Sequence, residues 1–219
     1  MTEPFDKLRA GRLRESAPCS EHCRTTVTTR KRGLLVIVSG PSGSGKTTIT
    51  RRVVEDLSLV LSISATTRKP RPGETDGRDY YFLSKDEFRR RIAAGEFLEY
   101  ARVHGRFYGT PKRPVEEALS RGKTCVLEID VQGARQVIEE HPEALTIFVV
   151  PPDADALRAR LLTRSTDELP EIEKRLEVAR KEMSEKQWFT FTVLNDDLEE
   201  AVRNVKEIIS TGEERARCL

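Results

Sequence analysis

The stretch Gly40-Pro41-Ser42-Gly43-Ser44-Gly45-Lys46-Thr47 decides how the rest of this sequence is interpreted. It fits the pattern G-x-x-x-x-G-K-[ST], and it lies between a short apolar, β-branched run and a segment with helical periodicity. Glycines let backbone N–H groups turn towards a phosphate, and the N-terminus of the following helix adds partial positive charge. The stretch therefore predicts a phosphate-binding loop, in which Lys46 reaches the β- and γ-phosphates and Thr47 ligates Mg²⁺.

Apolar runs of strand length alternate with helical segments on both sides of this loop. The runs that predict core strands are residues 34–38, 59–63, 124–130, 145–150 and 191–194. Ser84 and Glu87 form a capping box, which predicts a helix that ends at Gly95. Strands separated by helices indicate a parallel sheet that is covered on both faces, so the predicted fold class is α/β.

Composition excludes several classes of protein. The chain has 219 residues, with 38 Lys and Arg against 36 Asp and Glu, and this balance argues against a nucleic-acid-binding protein. No apolar run approaches the ~18 residues that a membrane span needs, and four scattered cysteines do not suit a disulfide scaffold. We therefore expect a cytoplasmic protein that interacts with neither nucleic acid nor membrane.

Residues 1–32 differ from the remainder of the chain. They are rich in Lys and Arg and contain few apolar residues, so we expect a disordered basic tail. An organellar transit peptide and a start codon assigned too far upstream are alternative explanations. Cys19 and Cys23 resemble half of a zinc site, but no second ligand pair follows at a suitable spacing.

The segment at residues 64–74 is dense in cations and turn residues. Arg68 and Arg71 flank Pro70, and the X-Pro steps favour an extended, stiff backbone. Two guanidinium groups in such a segment suit a phosphomonoester, which offers three oxygens and about two charges. This signal alone does not identify the acceptor of a phosphoryl group.

From about residue 33 to residue 209, the chain resembles the guanylate kinase family. The resemblance is carried by residues 40–48, 64–74, 77–82, 95–100, 108–110, 127–133, 160–164, 175–176 and 195–197, whose order and spacing match the family. It implies a P-loop NTPase fold with a three-layer core in a domain at residues 33–212. It further implies an inserted NMP-binding subdomain near residues 64–111 and a mobile lid near residues 157–175. The implied reaction is the transfer of a phosphoryl group from ATP, with Mg²⁺, to GMP, and dGMP is an alternative acceptor.

The resemblance also implies roles for individual residues. The GMP phosphate would be held by Arg68, Arg71, Tyr80 and Tyr108, and the guanine by Ser64, Glu99, Thr110 and Asp130. Catalysis would depend on Lys46, Arg68, Arg164 and Arg175, and Asn195 would lie near the adenine of ATP. The chemistry agrees, because a carboxylate accepts from guanine N1–H and N2–H₂ together, and a hydroxyl can donate to O6.

Some residues have alternative interpretations. Asp130 also suits a helix N-cap, and the two tyrosines also suit a core. We interpret Arg158 as a solvated partner of nearby glutamates and leave Arg160 undecided. Ser165 stands where the family usually has Gly, and Glu128 stands where Asp is common.

Two other functions compete with a GMP kinase. A non-catalytic guanylate-kinase-like module would lose phosphate-loop residues, whereas Lys46 and Thr47 are present here. A related kinase with another acceptor would not need Glu99, Thr110 and Asp130 together. The oligomeric state remains open at this stage.

The composition of the tail gives a first prediction. We expect a protein that begins at Arg30 to keep its melting temperature and its rate of GMP phosphorylation, because residues 1–29 offer little apolar surface for docking. The full chain, purified in parallel, is the control. A large loss of either quantity would show that the tail belongs to the folded unit.

Overall fold

The computed structural model describes residues 32–103, 105–164 and 169–218, so residues 1–31 of the predicted tail lie outside the described part of the chain. The strands in these ranges are β1 (Leu35–Ser39), β2 (Val60–Leu61), β3 (Ala65–Thr66), β4 (Tyr81–Phe82), β5 (Phe97–Val103), β6 (Arg106–Pro111), β7 (Cys125–Glu128), β8 (Leu145–Val150) and β9 (Phe191–Leu194). The helices are α1 (Lys46–Asp56), α2 (Lys85–Ala93), α3 (Lys112–Ser120), α4 (Val131–Glu140), α5 (Ala154–Arg164), α6 (Leu169–Ser184) and α7 (Leu198–Cys218), with a short 3-10 turn at Glu185–Trp188.

Five strands form a parallel central sheet in the order β2-β7-β1-β8-β9. β1 lies in its middle and is buried along its whole length, as its apolar sequence predicts. Leu35 and Ile37 pack in one core cluster with α3 and α4, whereas Val36 and Val38 pack in another with α1 and α7. The predicted α/β fold, with helices on both faces of a parallel sheet, is therefore confirmed.

A second sheet of four strands lies between residues 65 and 111, in the order β4-β3-β6-β5. β3 and β4 are parallel, and the other two pairs are antiparallel. α2 covers this sheet through Phe88, whose ring stacks on Phe97 at 4.4 Å and on Phe107 at 5.4 Å. The sheet occupies the region in which the family resemblance implies an inserted subdomain.

Local sequence signals account for most element boundaries. The Ser84 hydroxyl accepts a hydrogen bond of 3.1 Å from the Glu87 N–H, and Gly95 follows α2 with a φ of +67°, so Ser84 is the N-cap of α2 and the predicted helix end is confirmed. β2 is shorter than the run at residues 59–63 predicts. The reason is its position, because it is the edge strand from which the chain leaves for the second sheet.

α5 and α6 form a helix pair over the phosphate loop. Their shared core consists of Leu157, Leu161, Leu176 and Ala179. A Cβ atom on Gly43 would lie 2.9 Å from Leu157 Cδ1, so α5 packs directly against the loop. At the surface, Arg158 forms an ion pair of 3.0 Å with Glu173, which confirms its interpretation as a solvated partner.

The 21 residues of α7 form an amphipathic helix. Its buried face, which includes Val202, Val205 and Ile209, packs on the central sheet. Charged residues cover much of the remaining surface. Within the described ranges, no helix combines the length and the apolar composition that crossing a membrane requires.

Candidate active site

The phosphate loop joins the carboxyl end of β1 to the N-terminus of α1. Gly40, Gly43 and Gly45 have φ values of +144°, +89° and +89°, a conformation that side chains with a Cβ atom rarely adopt. Gly45 is also the N-cap of α1, so the free N–H groups of the first helical turn point into the loop. The loop has the backbone geometry that a bound phosphate needs.

Buried polar side chains support the loop from behind. The Asn195 amide is 5% exposed, and its Nδ2 donates to the Ser44 carbonyl at 2.6 Å. The Arg160 guanidinium donates to the Asn195 carbonyl at 2.9 Å. Arg160, which the sequence left undecided, therefore stabilises the loop. The structure places Asn195 under the loop, and its contact with adenine stays a prediction.

Thr47 and Glu128 connect the loop to the neighbouring strand β7. The Thr47 hydroxyl donates a hydrogen bond to the Glu128 carboxylate. Both residues line the cleft described below, together with Lys46. Glu128 therefore fixes the hydroxyl that the sequence assigns to Mg²⁺.

A cleft of about 260 Å³ separates the phosphate loop from the second sheet. The loop contributes Gly40, Ser42, Gly43, Gly45, Lys46 and Thr47 to its lining. The other predicted residues that line it are Ser64, Arg71, Tyr80, Glu99, Tyr108, Asp130 and Arg175. Strands of both sheets, the helices α1 and α6 and several loops thus contribute residues to one cleft.

Glu99 is the most unusual group in this cleft, because its carboxylate is buried and only 3% of the residue is exposed. It accepts a hydrogen bond of 2.6 Å from the hydroxyl of Thr110, on the adjacent strand β6. Burial, with a contribution from the negative charge of Asp130, raises the pKa of Glu99 to about 7. A buried acceptor of this kind is well suited to a ligand that brings its own donors.

Asp130 has a structural role as well as a place in the cleft. Its Oδ1 caps α4 by accepting from the N–H groups of Gln132 at 2.7 Å and Gly133 at 3.1 Å. Asp130 also lines the cleft. The two interpretations that the sequence left open are compatible.

Glu74 contacts both predicted phosphate-binding arginines, through the guanidinium of Arg68 and the backbone N–H of Arg71. Arg68 donates to the Glu74 carboxylate through Nη1 at 2.9 Å and Nη2 at 2.8 Å, and the Arg71 N–H donates to the same group at 2.7 Å. The Arg68 guanidinium lies 5.3 Å from the ring centre of Tyr80. Burial raises the pKa of Tyr80 to about 12, so its hydroxyl remains a donor at neutral pH. Arg68 is therefore held beside Tyr80, which lines the cleft.

α6 contributes Arg175, Val178 and Glu182 to the cleft. Their spacing of three and four residues places them on one face of the helix. Burial raises the pKa of Glu182, whereas the positive charge of Lys46 acts in the opposite direction. The side chain of Arg164 and the whole of Ser165 lie outside the described part of the chain.

The sequence alone does not predict that several polar residues belong to the site. Glu74 stands within a matching stretch without an assigned role, Glu128 is singled out only as a departure from the family pattern, and Glu182 lies outside all of the matching stretches. Only the spacing of Glu182 from Arg175 along α6 could have indicated a shared face.

Comparison with known proteins agrees with this geometry. The family model described as guanylate kinase matches residues 32–212. This chain belongs to the guanylate kinase family. The guanylate kinase of Carboxydothermus hydrogenoformans is 47% identical over 180 residues, which cover 82% of this chain and 88% of that relative. The guanylate kinase of Enterococcus faecalis is 46% identical over 183 residues, which cover 83% and 90%.

A solved structure supports the same family. The crystal structure of guanylate kinase from Anaplasma phagocytophilum superposes with a TM-score of 0.71 at 32% identity, covering 84% of this chain and 88% of that one. The family and the P-loop NTPase fold predicted from the sequence are therefore confirmed, and guanylate kinase activity implies nucleotide substrates.

The raised pKa of Glu99 predicts a pH dependence for this guanylate kinase. We expect kcat/KM for GMP to fall as the pH decreases through about 7, because a protonated carboxyl cannot accept from two guanine donors. The assay is a pH profile of initial rates at low GMP concentration.

The Glu99→Gln variant is the control for this profile. The phosphate of GMP itself titrates near pH 6, and the variant should keep that step while losing the one near pH 7. Profiles with the same shape for both proteins would contradict the assignment of the titration to Glu99.

Proposed function

We propose that this protein transfers the terminal phosphoryl group of ATP to GMP through the cleft described above. ATP binds at the phosphate loop, and GMP binds on the second sheet. The observation that supports this arrangement is the buried Glu99 carboxylate, which opens into the same cleft as Lys46. Membership of the family makes the reaction ATP + GMP = ADP + GDP.

Guanine recognition follows from the acceptor character of Glu99. Guanine presents N1–H and N2–H₂ side by side, and an ionised carboxylate accepts from both. Adenine presents a lone pair at N1 and no amine at C2, so it would offer the buried Glu99 carboxylate no donor in addition to Thr110. Sites of this type discriminate by up to ~10⁴–10⁵ because unpaired buried polar groups are costly.

The Thr110 hydroxyl already has a hydrogen-bond partner in this structure. A hydroxyl has one hydrogen to donate, and in this structure the Thr110 hydroxyl donates it to Glu99 Oε1 at 2.6 Å. We therefore propose that Thr110 orients the Glu99 carboxylate instead of donating to guanine O6. Ser64 and Asp130, which also line the cleft, complete the polar surroundings of the base.

The phosphate of GMP is held by the tyrosines and arginines at the far side of the cleft. Arg71, Tyr80 and Tyr108 line the cleft and supply donors directly. Arg68 supports them from its place against Tyr80, where the Glu74 carboxylate fixes its guanidinium. A dianionic phosphate binds such a cluster more tightly than a neutral ligand does. Because dGMP carries the same phosphate as GMP, the cluster also suits dGMP as an acceptor.

The residues of the loop fit ATP and Mg²⁺. Gly45 has no room for a Cβ atom, because Asn195 Nδ2 already occupies that space, and the resulting loop directs N–H groups inward. Thr47 would ligate Mg²⁺, with the Glu128 carboxylate orienting its hydroxyl. When bound, the ion neutralises charge on the β- and γ-phosphates.

Phosphoryl transfer needs alignment and positive charge more than covalent chemistry. Lys46 from the loop and Arg175 from α6 both line the space between the two binding regions. We propose that they stabilise the charge on the transferring group, with Arg164 joining them from the end of α5. The helix pair would then act as the lid at residues 157–175, excluding water when it closes. The cytoplasmic location, the absence of nucleic-acid and membrane partners, and the domain limits stay predictions.

The acceptor assay with Glu99→Gln tests this function. ADP release with GMP, AMP, CMP or UMP should be fastest with GMP for the unmodified protein. The variant keeps the shape of the side chain but replaces one carboxylate oxygen with an amide N–H₂, which faces a guanine donor. Because two donors cannot pair, we expect kcat/KM for GMP to fall by roughly 10²-fold or more. The GMP-to-AMP ratio should fall with it, while ATP affinity stays the same.

Glu96→Gln is the matched control. Its side chain is 57% exposed and precedes the same strand, β5, so its substitution should change neither acceptor preference nor rate. An unmodified protein that prefers another acceptor would refute the proposed function. An unchanged GMP-to-AMP ratio in Glu99→Gln would remove Glu99 from base recognition.

A further inference from the structure

The strand that carries Glu99 lies at the edge of the second sheet. β5 pairs with β6 on one side, and the pairing shifts register between Phe97 and Glu99. Edge strands leave backbone N–H and C=O groups without a partner strand, and a register shift redirects the side chains beside it. Pairing within the sheet therefore holds the backbone around Glu99 from one side.

Gln136, on α4, covers the other side. Its Nε2 donates to the carbonyl of Tyr100 at 2.9 Å, and its Oε1 accepts from the N–H of Tyr100 at 3.3 Å. Nε2 also donates to the carbonyl of Gln132 at 3.2 Å, which fixes the amide relative to the helix. A side-chain amide offers the same donor and acceptor as a peptide group. Gln136 therefore makes the two hydrogen bonds to Tyr100, the residue next to Glu99, that a neighbouring strand would otherwise make.

Gly133 lies one helical turn earlier on the same face of α4. A Cβ atom at this position would lie 2.8 Å from Glu99 Cδ, so the absence of a side chain leaves room for the carboxylate. The helix has Asp130 as its N-cap, two residues after the end of β7, and β7 pairs with the strand that leads into the phosphate loop. One face of α4 therefore holds the backbone beside Glu99 and accommodates its carboxylate, and the helix is anchored to the central sheet.

We infer that Gln136 is a positioning residue for base recognition, acting through the backbone of Tyr100 to set the reach of the Glu99 carboxylate into the cleft. The inference rests on the proposed function, because it takes Glu99 as the residue that contacts guanine. The mechanism is geometric. Hydrogen bonds weaken steeply when distance and angle depart from their preferred ranges, so a small displacement of β5 reduces pairing with both guanine donors.

The test compares Gln136→Met with Gln132→Met. Methionine keeps the length and helix propensity of glutamine but loses both polar contacts with Tyr100. Gln132 is exposed on the same helix, so its substitution is matched in residue type and position. Gln136→Ala serves as a second variant, and kcat and KM are measured for GMP and for AMP, together with ATP affinity and melting temperature.

We expect Gln136→Met and Gln136→Ala to raise KM for GMP and to lower the GMP-to-AMP ratio of kcat/KM by roughly 10- to 100-fold, since small misplacements in a site have effects of this size. ATP affinity should not change, and Gln132→Met should behave like the unmodified enzyme.

Two results would overturn the inference. The first is an unchanged GMP-to-AMP ratio in folded Gln136 variants, including an equal loss for both acceptors, which marks a purely structural contact. The second is the same loss of ratio in Gln132→Met. In each case the proposed function stands if the unmodified enzyme still prefers GMP, whereas an enzyme without that preference would refute the proposed function and this inference with it.

Discussion

The buried carboxylate of Glu99 is the group whose environment constrains the acceptor half of this molecule. Removing a charge from water is costly unless the charge is paired or hydrogen-bonded. Here Thr110 supplies a hydrogen bond from β6, and Gly133 supplies space on α4. The energetic penalty that remains is visible in the raised pKa of Glu99, and a ligand with two adjacent donors would remove it.

The phosphate loop imposes an equally strict constraint at the other end of the cleft. Its glycines adopt backbone conformations that need support, and Asn195, Arg160 and the α5–α6 pair provide it. β1 leads into the loop, and β7 beside it leads into Asp130 and α4. Because the two strands are neighbours in a parallel sheet, the loop and the helix that supports the acceptor site start from the same edge. The central sheet therefore sets the distance between the phosphate loop and the acceptor site that α4 supports.

The sequence predicts those features that depend on local signals. The loop residues are contiguous, the capping box spans four residues, and the core strands are short apolar runs, so each could be identified without tertiary information. The acceptor residues from Ser64 to Asp130 are scattered, and apart from Arg68 and Arg71 they are identified only through the family resemblance. Each motif carried residue types that suit a nucleotide, and their combination limited the interpretation to one family.

Other features depend on contacts between distant parts of the chain and could not be predicted in this way. Gln136 and Tyr100 are separated by 36 residues, and nothing in either local sequence indicates that they pair. The Thr110 hydroxyl donates to Glu99 on the adjacent strand, and Asn195 lies 151 residues from the loop carbonyl that it binds. Such contacts follow from the packing of α4, β5 and β9 against their neighbours, which is a property of the whole fold.

A coupling measurement between Glu99 and the guanine amine tests the central claim most directly. Inosine monophosphate differs from GMP in lacking the N2 amine, so binding of both nucleotides to the unmodified protein and to Glu99→Gln forms a thermodynamic cycle. We predict that the unmodified protein binds GMP more tightly than inosine monophosphate by about 1.5–3 kcal/mol, and that this preference disappears in the variant. An equal preference in both proteins would show that the amine is recognised elsewhere and would contradict the account.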